Sequence, residues 1–223
     1  MSTDDRIERA RKIYERVVYS GDAGALGDAA RGLDAVEADV ALARGRLLHA
    51  AFQSAPADSP PAGVTPVEDP AELPLFERAL ELYQAAGDAR GEAEAEFWIG
   101  CVHQFIRRDH RTATPHLQRS SRLAERTGDK RTRAEALRHL GIEAHAAGRL
   151  DEAREQLTES SRLRREIGAL PGVASNLVGL AYIAAAQDRR ADALATLDEA
   201  EALADAHDAH AVKRHIQQAR ATI

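Results

Sequence analysis

A repeat of about forty residues constrains this chain more than any other feature. FERALELYQAAGD (76–88), LQRSSRLAERTGD (117–129), LTESSRLRREIGA (157–169) and LDEAEALADAHDA (197–209) share one pattern. Each opens on a large apolar residue, has a small residue three positions on and Leu at or near position six, and most close on a Gly-Asp or similar pair. The offsets between them are 41, 40 and 40 residues. A second set lies in between: AEAEFWIGCVHQF (93–105), AEALRHLGIEAHA (134–146) and ASNLVGLAYIAAA (174–186). Two alternating helices per period is the reading this demands, because such a unit buries its apolar face only by stacking on its neighbours. The expected architecture is all-α, a right-handed α-solenoid of antiparallel helix pairs with about 10–11 helices.

Local chemistry agrees. Gly148 and the segment around Asp188 break one helix and start the next, with acidic residues in the following first turn. Asp88, Asp129 and Asp208 precede helices, where a carboxylate accepts orphan backbone N–H bonds. Gly100 and Gly141 sit within helices at a cost of about 1 kcal/mol each against alanine, which close helix approach would justify. Upstream, residues 5–22 have amphipathic spacing, and ALGDAARGLDAVEAD and VALARGRLLHAAFQ read as two further helices. The chain is therefore read as one domain: degenerate helices over 1–53, a loop over 54–74, regular repeats over 75–207 and a polar-faced capping helix over 208–223. The loop carries six of the eight prolines and is expected to be non-helical, as either a lid or a plain surface loop.

Composition narrows the function. Only 4% of residues are aromatic, and the 30 basic and 36 acidic residues are interleaved, giving a net charge of −6. A nucleic-acid face needs clustered basic residues, so no nucleic acid is expected as partner. No apolar run approaches a membrane span, and MSTDDRIERARK lacks the apolar core of a secretory signal. With one cysteine, Cys101, a cytoplasmic setting is expected. The Arg- and Ala-rich usage reads as the codon bias of a GC-rich bacterial genome.

These repeats resemble the tetratricopeptide family, whose pattern is W-x2-L-G-x2-Y…A-x3-F…P. Leu137, Leu140-Gly141, Ala144, Ala153 and Leu157 match one unit; Leu177, Leu180-Ala181, Ala184, Ala193 and Leu197 match the next; Ile99-Gly100, Ala113 and Leu117 match the first. The likeness covers roughly 75–205, with a period of 40 rather than 34 and without the terminal proline. It implies a concave groove lined by the first helix of each pair. Carried over by register, that groove presents Glu94, Phe97, Cys101, Gln104 and Phe105, then Arg138 and His145, then Tyr182, with Trp98 at its edge. Aromatics and arginine are the residues that dominate recognition surfaces. The Lys and Asn residues of the family's carboxylate clamp are absent. Glu96 and His103 replace apolar and tyrosine positions, and Glu96 is expected to be solvated or paired.

No G-x-S-x-G, Walker A, H-E-x-x-H or paired C-x-x-C is present, so the chain is not read as an enzyme, and no cofactor or metal is expected. His103, His110 and His116 have no ligand spacing, and His139 with Glu143 reads as a surface pair. The leading expectation is a scaffold that binds a protein or peptide segment. The alternative is a small-molecule pocket at Trp98, Cys101 and His103 under the 54–74 loop. The N-terminal helix (5–20), apolar on one side, offers a surface for homodimerisation.

Overall fold

The computed structural model describes residues 3–54 and 68–223. Among them are ten α-helices and no strand: α1 Thr3–Ser20, α2 Leu26–Ser54, α3 Glu72–Ala86, α4 Ala89–Cys101, α5 His110–Thr127, α6 Lys130–Ala146, α7 Leu150–Glu166, α8 Leu170–Ala186, α9 Arg190–Ala206 and α10 His210–Thr222. Each helix packs on the one before it. α4, α6 and α8 also touch in succession, and α10 closes the array against α8 and α9. This is an α-solenoid. Among the described residues no helix is long and apolar enough to cross a membrane.

The repeated residues are the ones that hold the pairs together. Phe76, Leu117, Leu157 and Leu197 are 0%, 0%, 2% and 0% exposed, and the small residues three positions on, Ala79, Ser120, Ser160 and Ala200, are all 0%. Ser120 donates to the Ala93 carbonyl at 2.7 Å and Ser160 to the Ala134 carbonyl at 2.6 Å, so each tethers its helix to the backbone of its pair. Gly100 and Gly141 do mark close approach. A Cβ on Gly100 would lie 2.8 Å from Leu117, and one on Gly141 would lie 2.9 Å from Leu157.

The turns recur every twenty residues. Gly128, Gly148 and Gly168 take positive φ, and Asp188 and Asp208 hold the same conformation at the next two turns. Asp88 and Asp129 each accept two backbone N–H bonds as N-caps. Asp208 does not: the residue before α10 is Ala209, without a side-chain cap. Its carboxylate sits in the left-handed turn residue, one position too early to reach the new helix.

Two expected boundaries change. Residues 26–54 form one helix rather than two, since nothing between Asp39 and Val40 breaks the backbone and Gly32 is simply tolerated. The expected loop over 54–74 ends sooner, because α3 starts at Glu72 and Pro74 falls in its first turn, where no N–H is needed. Residues 55–67, including most of the expected lid, lie outside the described residues.

Candidate functional site

The first helices of successive pairs stand side by side and share one wall, with two depressions along it. The first, of about 400 Å³, lies between α2, α4 and α6. Trp98 is its aromatic centre. It stacks on Phe76 with centroids 5.7 Å apart and meets Phe97 edge-on at 5.0 Å and His49 at 5.3 Å. The Arg46 guanidinium lies 5.7 Å from the Trp98 ring centre. Charges of both signs rim the space: Arg46 pairs with Glu94 at 3.2 Å and Arg90 with Asp129 at 3.1 Å, while Arg131 and Glu135 complete the lining.

At the base of this depression sits an acid–base pair that periodicity does not reveal. His49 is 3% exposed and Glu72 is fully buried, with Nδ1 and Oε1 2.7 Å apart. Gln53 holds the other ring nitrogen of His49 at 3.0 Å. Burial pushes the Glu72 carboxyl above its ordinary value against the opposing pull of His49. Glu72 Oε2 and Trp98 Nε1 have no hydrogen-bond partner among the described residues. The polar residues Arg46, His49 and Gln53, spaced three and four apart on one face of α2, were the available signal.

The stretch EFWIGCVHQF does not finish as α-helix. After Cys101 it widens into a π-helical turn over Val102–Ile106, closed by the Arg107 N–H on the Val102 carbonyl. The extra residue rotates the face. Phe105, rather than Gln104, follows Cys101 on the groove side and meets His139 edge-on at 5.0 Å. Gln104 turns inward to 2% exposure, which corrects its expected place on the groove surface. Its amide nitrogen donates to the His139 carbonyl at 3.1 Å and to Glu143, and its carbonyl accepts from His139 Nδ1 at 2.6 Å. His110 also bonds Glu143, at 2.7 Å. His139 and Glu143 are therefore not a surface pair. They are two anchor points for one inward-facing glutamine.

This enclosure sets the chemistry of the histidine and thiol. Burial, reinforced by Arg138 and Arg164, lowers the His139 pKa to about 3, so the ring is neutral and its Nδ1–H is committed to Gln104. Burial also pushes the Cys101 thiol well above its ordinary range, with Glu135 and Glu72 adding to the effect. Cys101 lies 3.7 Å from His139 Nδ1, yet a base that cannot take a proton does not activate a thiol. Cys101 is packing.

The second depression, about 260 Å³, lies further along the wall and is lined by Arg138, Ser175, Tyr182, His215 and Gln218 over an apolar floor. It contains hydrogen-bond donors but no carboxylate. Arg138 Nη1 donates to Asn176 Oδ1 at 3.0 Å, and Asn176, fully buried, donates in turn to Ser160 and Ser161. The nearby carboxylate, Glu135, is taken by the buried Arg164 at 2.6 Å. Burial, and then Arg164, lower the Arg138 pKa to about 10. Among the described residues Arg138 has no ion-pair partner.

Glu94, Phe97, Trp98 and Cys101 thus line the first depression, and Arg138 and Tyr182 the second. Phe97, at 6% exposure, is floor rather than projecting contact. Gln104, Phe105 and the half-buried His145 line neither. His103 does not join Trp98 and Cys101 as expected: it stacks on His116 of α5, with ring centres 6.0 Å apart. Glu96 is buried and paired, 2.6 Å from His116 and 3.0 Å from Arg119. Among the described residues no group of three or more His, Cys, Asp or Glu is placed to hold a metal ion.

No family model matches the chain. No curated protein matches it either. Among solved structures, the chain is similar to BtubC (BKLC) from P. vanneervenii, with a TM-score of 0.50 and 12% identity over 92% of this chain and 91% of that one. At that identity the likeness concerns the fold alone.

Proposed function

We propose that this chain is a tetratricopeptide-like scaffold that binds a protein or peptide segment along its concave wall, acting in the bacterial cytoplasm. The observation that carries this reading is Arg138. A half-buried guanidinium in the wall of an acid-free depression, bonded among the described residues only to a neutral amide, gives up part of its hydration without a counter-charge. An acidic side chain of a bound segment supplies the missing counter-charge. Tyr182 offers apolar area next to it, and the Trp98 depression, some of whose lining residues share α6 with Arg138, accommodates a second, apolar side chain of the same segment. The open wall with two depressions suits an extended ligand. The neutral His139 and protonated Cys101 offer no nucleophile–base pair, which favours binding over catalysis.

Co-purification with the tagged protein, followed by mass spectrometry, supplies the partner. Arg138→Ala is then expected to lower its affinity at least tenfold with unchanged helicity. Equal capture by wild type and Arg138→Ala removes the groove from the account.

A second reading rests on the Trp98 depression: its volume falls within the range of small-ligand sites, and Trp98 Nε1 is a buried donor without a partner among the described residues. A small molecule with an acceptor at that point quenches or shifts Trp98 fluorescence. A metabolite screen without any fluorescence response retires this alternative.

A further inference from the structure

The outer side of the α1–α2 hairpin is apolar where a solenoid end is normally polar. Leu26, Leu33, Val40 and Leu47 recur every seven residues along α2 and stay exposed. Seven residues are close to two helical turns, so the four form one line. The buried line of the same helix, Ala38, Ala41, Leu42, Gly45 and His49, lies on its opposite side, against α3. On α1 the inward line contains Ala10, Ile13 and Val17, and Ile7, Tyr14 and Val18 lie a quarter turn away. For two antiparallel helices in contact, that quarter turn brings the α1 trio onto the same side as the α2 line.

We propose that this face is the contact between two copies of the chain, with α2 crossing its twin antiparallel about a two-fold axis at Val40. Three properties select a second copy as occupant. The first is spacing: with the axis at Val40, Leu33 falls opposite Leu47 of the twin helix, and Leu47 opposite Leu33. Ala43 and Ala50, small and exposed beside the line, leave room for the facing hairpin. The second is charge. Along the edge of the stripe, Glu37 precedes and Arg44 follows the axis, so antiparallel pairing sets each Glu37 beside the opposite Arg44. Arg44 has no ion pair within its own chain among the described residues, whereas Glu37 holds Arg78 at 2.8 Å and has an oxygen to share. The third is area. The seven apolar residues are 41% to 71% exposed, which amounts to roughly 700 Å² per protomer, close to the ~800 Å² per partner of a stable interface. A patch of this size is uncommon on a monomer. The opposite, concave wall stays free, so the dimer presents two grooves and engages a divalent partner with avidity.

Light scattering on the full chain at micromolar concentration is expected to give twice the 24.2 kDa chain mass. Val40→Glu places two carboxylates on the axis and is expected to give the single-chain mass with unchanged circular dichroism, since Val40 is exposed in its own chain. Arg44→Glu is expected to weaken dimerisation at least tenfold, and adding Glu37→Arg restores it. That restoration is specific to the antiparallel pairing. A wild-type protein of single-chain mass overturns the proposal, as does a dimer indifferent to Val40→Glu or an Arg44→Glu defect that the charge swap leaves unrepaired. None of these outcomes depends on whether the groove binds a peptide.

Discussion

His139→Gln tests the enclosed network by its pH dependence. In the unfolded chain the ring titrates near its ordinary value of 6.5, and in the folded chain at about 3. Between those values the unfolded state holds a proton that the folded state rejects. The neutral ring's contribution is therefore complete above about pH 6.5 and is lost as pH falls toward 3, at about 1.4 kcal/mol per pH unit. From pH 7 to pH 5 the loss is about 2 kcal/mol. In a chain of 223 residues that corresponds to roughly 4–8 °C in melting temperature. Glutamine retains a donor for Gln104 Oε1 but does not titrate. Thermal melts of wild type and variant at pH 7 and pH 5 isolate the term, because Glu72, whose raised pKa acts in the opposite sense, is common to both. The expected result is a smaller acid-induced drop for the variant by that margin. Parallel drops in the two proteins would mean that water reaches the ring and that the Gln104 bridge is not closed.

Other consequences follow from the packing. Gly141→Ala drives a methyl to 2.9 Å from Leu157 and 3.4 Å from the Ala153 carbonyl and is expected to cost about 1–3 kcal/mol in denaturant titrations. Gly32→Ala, with open space around it in α2, is expected to stabilise by up to about 1 kcal/mol in the same assay. Asp129→Ala removes the acceptor of the Arg131 and Thr132 N–H groups and the partner of Arg90, for a loss of about 1–2 kcal/mol. Phe76→Ala empties the fully buried site between Gly45 and Trp98 and is expected to cost about 3–5 kcal/mol.

The helices, their pairing and most of the punctuation are written in the order of residues along the chain. A forty-residue period of Leu or Phe with a small residue three positions on specifies which side chains interlock, and Gly148, Asp88 and Asp129 act within a residue or two of where they stand. Such signals are local, and local geometry depends little on what lies across the molecule. The wall of the groove was decided differently. The π-helical turn after Cys101 leaves no mark in composition, yet it turned Gln104 inward and kept Phe105 on the groove side, because one added residue rotates everything beyond it. Only packing of α6 against α4 and of α8 against α6 enclosed His139 and left Arg138 facing an amide instead of a carboxylate. Charge and protonation depend on distances between residues some forty positions apart, which periodicity constrains only to a shared face.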